Sequence, residues 1–235
     1  MILKYILTVI SAALLLLNSF AQNEIRTKKL SFGLFASPDI SFRYIEENTF
    51  GGNTSRSFSG RAKLAFTAGG ELIYQANPYV SFTSGIQYSV KRSQSPNTFY
   101  FNSNPTVSLA PEPVSGYQIF NSRYIDIPMR LDLYLLRTKL APFITAGVST
   151  NILIHERRVT RQLYTDGKTR SSSRLTDNGY YRVNPQVQLG AGLDLEAWEV
   201  RMRILTLLRM SLMPVNTGAQ KVFLNSVGFG GSFYF

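Results

Sequence analysis

Cysteine is absent from the 235 residues. That excludes disulfides, thiolate metal centres and a lipid anchor on an N-terminal cysteine. Histidine occurs once, at His155, so no cluster of imidazole ligands is available for a metal. Charged residues are sparse, at 17%. Long apolar runs are missing too. Outside the first residues, no segment reaches the roughly 18 to 20 apolar residues of a spanning helix, which excludes a helical membrane protein. What is present is a formal charge of +11, an aromatic content of 13% and many large aliphatic residues.

The N-terminus, MILKYILTVISAALLLLNSFAQ, has the three parts of a secretory signal. Lys4 supplies the positive start, residues 5–17 the apolar run, and Ser19 and Ala21 the small residues before a cut between Ala21 and Gln22. The apolar run is too short to span a bilayer. The expected organisation is a signal peptide over 1–21, a short periplasmic segment over 22–29 and one domain over 30–235. Export also makes nucleic acid an unsuitable partner despite the charge.

The mature chain alternates. In RYIDIPMRLDLYLL, Ile125, Ile127, Met129, Leu131, Leu133 and Leu135 fall on one parity. Tyr124, Asp126, Pro128, Arg130, Asp132 and Tyr134 fall on the other. The same period of two runs through seven further segments, from Leu30, Phe32 and Leu34 to Val227, Phe229, Phe233 and Phe235. This is the period of a β-strand. A helix in the quoted stretch would carry Pro128 inside it, at about 3 kcal/mol. As a strand it is expected to bulge at that proline, which has no N–H for the ladder.

Connection lengths alternate as well. Residues 45–60, 92–120 and 156–179 form long, turn-rich loops, and 211–220 an intermediate one. Residues 76–78, 137–142 and 197–199 form short turns. Long loops at one end of the strands and short turns at the other are the asymmetry of outer-membrane barrels. Eight strands enclose a lumen just wide enough for side chains, and the apolar parity has too many large residues to fit there. It therefore faces lipid, and the polar parity lines the lumen. Tyr44, Tyr74, Tyr79, Tyr88, Tyr181, Trp198 and Phe235 are candidates for interfacial aromatic belts. The expected fold is all-β: an eight-stranded antiparallel up-and-down transmembrane barrel with long external loops and short periplasmic turns.

Four stretches carry a family resemblance: YIDIPMRLDLYL, APFITAGVS, VQLGAGLDLEAWEVRMRI and VGFGGSFYF. Together they make the chain resemble the outer-membrane β-barrel domain proteins common in Bacteroidota, called porin-family or PorT-family proteins. The resemblance covers nearly all of the mature chain and rests on structural motifs, so it implies the barrel more than an activity. It implies contact with outer-membrane lipid and lipopolysaccharide, and handling by the barrel assembly machinery, which reads a terminal strand ending in an aromatic. One narrower branch of the family is linked to type IX protein secretion; nothing in this sequence singles that branch out.

Two groups of residues are the candidate sites. Arg43, Glu71, Asp126, Arg130, Asp132, Asp194, Arg201, Arg203 and Arg209 fall on the lumen parity, as do Asp39, Lys63 and Glu196. Unpaired charges in a narrow interior are costly, so they are expected to form a salt-bridged plug; the alternative is a narrow pore or a small-solute pocket. Arg157, Arg158, Arg161, Lys168, Arg170 and Arg174 make the third long loop basic. It is expected to be a solvated loop, with lipopolysaccharide, acidic glycans or a protein partner as alternative contacts. An enzyme is not expected. Around His155, with Asp166 or Asp177, no nucleophile motif stands, and no cofactor or metal is implied.

Overall fold

The computed structural model describes residues 29–48, 54–99, 111–136, 138–176, 179–197, 200–217 and 221–235. The expected signal segment, with Ala21 and Gln22, and also Trp198 and Asp177 lie outside these. Among the described residues, ten strands follow one another: β1 (Leu30–Asn48), β2 (Thr54–Asn77), β3 (Val80–Gln94), β4 (Thr98–Phe99), β5 (Pro113–Tyr134), β6 (Leu140–Tyr164), β7 (Thr169–Leu175), β8 (Val183–Ala197), β9 (Val200–Ser211) and β10 (Lys221–Tyr234). Eight of them close a ring in the order β5-β3-β2-β1-β10-β9-β8-β6, and β6 returns to β5. Every pairing is antiparallel. The first and last strands meet at the seam, where Gly33 lies opposite Tyr234 and Glu46 opposite Lys221. Closure satisfies the ladder on both sides of each strand, as a hydrocarbon environment requires.

The barrel is inside out relative to a soluble protein. Leu64, Ile86 and Met129 are 69%, 67% and 60% exposed, whereas Glu71 and Arg203 are 0% and 1% exposed. All eight ring strands contribute large apolar residues to the outer face. Along β5 and the residue that follows it, this band runs from Leu135 up to Ile125, about the 9 to 11 residues of a bilayer crossing. Just above it, Arg123 turns outward and exposed. Tyr74, Tyr79, Tyr88, Tyr181 and Phe235 are exposed, as expected of belt residues, and Tyr44 is half-buried.

One expectation is corrected, the bulge at Pro128. The ladder from β5 to β3 skips from Met129–Ser84 to Asp126–Gln87 without a change of register, while the ladder to β6 runs straight through Pro128–Ser149. Pro38 does the same in β1, where pairing with β10 skips from Ala36–Gly231 to Asp39–Gly228. Losing two pairs on one side accommodates the missing donor without an inserted residue. The long connections keep their expected place, and among their described residues most are strand. β5 and β6 reach far past the apolar band, and β7 folds back on β6 as a hairpin with Asp166 and Gly167 in its turn.

Candidate functional site

Among the described residues, twelve charged side chains are buried inside the barrel. Six are carboxylates: Asp39, Glu71, Asp126, Asp132, Glu156 and Asp194. Six are cations: Arg43, Lys91, Arg130, Arg201, Arg203 and Arg209. All are buried. These buried charges balance one another.

The groups are stacked in layers. Near the short-turn end, Arg203 bridges Asp132 at 2.8 Å and Asp194 at 3.4 Å. Arg201 reaches Asp194 at 2.5 Å. The Tyr134 hydroxyl sits among them, donating to Asp194 at 2.8 Å and accepting from Arg203 at 2.6 Å and from Arg201. Higher up, Glu71 accepts from Arg130, Gln87, Ser232 and Tyr234. Asp39 accepts from Arg209 at 2.9 Å, Ser37 at 2.7 Å and Thr67 at 2.5 Å. Gly228 makes room for that cluster: a Cβ there would lie 2.6 Å from the Ser37 hydroxyl and 2.8 Å from Arg209 Nη1. Asp126 accepts from Asn151, and Lys91 donates to Gln186. In the top layer Glu156 accepts from Arg43 at 3.1 Å and Ser122 at 2.9 Å, with the Arg43 guanidinium 3.8 Å from the centre of the Phe120 ring.

The partners lie across the lumen more often than on the next strand. Arg130 of β5 pairs with Glu71 of β2, and Asp132 of β5 with Arg203 of β9. Such pairs tie together strands that the ladders do not join. Asp126 has a hydrogen-bonding amide where an ionic partner on a neighbouring strand was expected. Lys63 is half-buried, near the upper edge of β2.

Two lumen members were not among the expected network residues. Lys91 lies on the polar parity of β3, so its signal was legible. Glu156 opens a segment whose composition reads as loop. Its inward aim follows from a bulge: Arg123 pairs with His155 and Tyr124 with Leu153, so Ile154 is the extra residue and the parity of β6 flips above it.

The basic segment is split by the same flip. Arg157 and Arg161 lie on the outer face, where Arg157 donates to Ser173 at 2.6 Å and Arg161 to the Tyr117 hydroxyl at 3.4 Å. Arg158 shares the face of Glu156 and stands directly opposite Arg174 of β7. Arg170 pairs with Asp166 at 3.3 Å, in the turn that also holds Lys168. This hairpin keeps Asp166 away from His155, which lies opposite Arg123 at the rim of the apolar band. Among the described residues no group of three His, Cys, Asp or Glu side chains is arranged to hold a metal.

A family model described as "Outer membrane protein beta-barrel domain" matches residues 20–210. No curated protein matches by sequence. Among solved structures, the chain is similar to Neisserial surface protein A at 12% identity and a TM-score of 0.42, covering 88% of this chain and 98% of that one. It is similar to Ail, the attachment invasion locus protein of Yersinia pestis, at 11% identity and a TM-score of 0.34, covering 87% and 99%. The outer membrane protein AlkL matches at 14% identity and a TM-score of 0.31, covering 91% and 94%.

Proposed function

Since the chain belongs to the outer-membrane protein β-barrel domain family, we propose that it is a non-conducting barrel that acts through its outer hairpins, with its lumen closed by side chains. The observation that carries this reading is the set of six buried carboxylates and six buried cations on the inner face, layered from Asp194 to Glu156. Each carboxylate accepts a hydrogen bond from inside the barrel. A permeating ion would have to break several of these layers in a space of low dielectric, where an unpaired charge is costly. The outer ends of β5, β6 and β7, by contrast, stand clear of the apolar band and offer polar, cationic surface.

Planar-bilayer recording of the purified barrel tests the reading. Silence is expected under an applied potential. Steady unitary steps that change size in Arg130→Ala would establish a pore instead. Export completes the proposal: the signal is removed after Ala21, and intact mass of the outer-membrane form is expected to correspond to a chain starting at Gln22. A mass that retains residues 1–21 would contradict this.

A further inference from the structure

Above Glu156, the face of β5, β6 and β7 that continues the lumen wall lines a cavity of about 650 Å3. Two guanidiniums line it, Arg158 and Arg174, and they are direct cross-strand partners. Like charges placed opposite each other on one face repel. Inside the barrel, Arg43, Arg130, Arg201, Arg203 and Arg209 each have a carboxylate. Among the described residues, neither Arg158 nor Arg174 has an ion-pair partner. The Nε of Arg158 is buried without an acceptor, as are single nitrogens of Arg43, Arg130, Arg203 and Arg209; unlike those four it has no carboxylate on its other nitrogens, so it calls for a water, an ion or a ligand. The side chain is not adrift, for its guanidinium is 5.2 Å from the centre of the Phe120 ring, a cation–π placement. The remaining polar lining is the Gln118 amide and the hydroxyls of Thr160, Ser172 and Thr176.

We propose that this cavity binds a sulfated or phosphorylated saccharide of one or two rings, with its oxyanion between Arg158 and Arg174. Paired guanidiniums suit a tetrahedral oxyanion, which takes parallel charge-assisted hydrogen bonds from them. An amide and three hydroxyls suit the hydroxyls of a sugar. The volume falls within the roughly 300 to 1,000 Å3 of small-molecule pockets and exceeds the needs of a bare anion. Arg158 is half-buried and Arg174 exposed, so the site is open to solvent. The inference rests on the reading of the outer hairpins as the working end.

The test is calorimetric titration of the mature chain in phosphatidylcholine nanodiscs with a sulfated disaccharide, a phosphorylated disaccharide and the unmodified sugar. Saturable binding of at least one charged sugar is expected, weakened about tenfold or more by Arg158→Gln and by Arg174→Gln, since each removes a hydrogen bond to a charged group. Arg161→Gln, on the opposite face of β6, is expected to change it less than about twofold. Equal binding of the unmodified sugar, equal loss in Arg161→Gln, or no saturable binding would overturn the proposal. Nanodiscs loaded with lipopolysaccharide distinguish the source: displacement of it by the soluble probe identifies a lipid-linked sugar, and probe binding without displacement a free one. A conducting lumen would sink the preceding section's reading and leave these titrations unchanged.

Discussion

Glu71 gathers donors from three strands. Arg130 comes from β5, Gln87 from β3, and Ser232 and Tyr234 from β10, all onto one fully buried carboxylate of β2. Neutralising it leaves Arg130 charged and buried without its ion-pair partner. Breaking a buried pair from one side costs about 3 to 5 kcal/mol, whereas replacing both partners with apolar groups is often neutral. Glu71→Gln is therefore expected to lower the stability of the refolded barrel by about 3 to 5 kcal/mol, read from urea unfolding in detergent micelles. Glu71→Gln combined with Arg130→Met is expected to recover most of the loss. Arg170→Gln provides the contrast, because its pair with Asp166 is solvent-exposed and worth about 0 to 1 kcal/mol. If Glu71→Gln costs no more than Arg170→Gln, the network does not hold the lumen together.

The β6–β7 hairpin shows where sequence pattern is readable and where it stops. Within the bilayer each strand has one lipid face and one lumen face, so residue type alternates with position. That made all eight ring strands legible, along with the inward aim of Asp126, Arg130, Asp132, Asp194, Arg201, Arg203 and Arg209. Above the apolar band both faces of the sheet meet water, and the alternation has no cause. β7 is exposed at every residue, and its TRSSSRL reads as loop. Bulges add the second loss: one extra residue at Ile154 reverses the parity and takes Glu156 inside, unreadable from spacing alone. Pro128 is legible as awkward, but the local remedy, a skipped pair of rungs that Pro38 shares, depends on the neighbouring strand. Since β7 pairs only with β6, the hairpin is an appendage to the ring. Replacing residues 158–174 with a two-residue turn, which joins the opposed Arg157 and Leu175, is expected to leave heat-modifiable gel mobility unchanged. Loss of the folded, fast-migrating form would show that β7 is part of the barrel's own stability.

At the scale of the whole molecule the decisive feature is the seam. An open sheet of the same eight strands in chain order would leave β1 and β10 as bare edges, which hydrocarbon does not tolerate. Closure through β1 and β10 brings together residues almost two hundred positions apart. The absence of cysteine makes this directly measurable, because any disulfide in an engineered chain must come from the introduced pair. Ser41 and Ser226 are direct partners across the seam, and both are buried in the lumen. Opposed residues in an antiparallel ladder have Cα atoms about 4.5 to 5.5 Å apart, inside the range of about 4.4 to 6.8 Å that a disulfide accepts. The double variant Ser41→Cys with Ser226→Cys is therefore expected to form an intramolecular disulfide on mild oxidation of the refolded barrel. Non-reducing electrophoresis should then resolve a more compact unfolded form, which reductant reverses. Ser41→Cys with Ser149→Cys, on β1 and β6, places both thiols in the lumen on strands that do not pair, and the same oxidation should leave it unlinked. If the first pair stays reduced while the second closes, the ring order is wrong. With it would go the across-lumen partnerships of Glu71, Asp132 and Asp39, since each depends on which strands face one another.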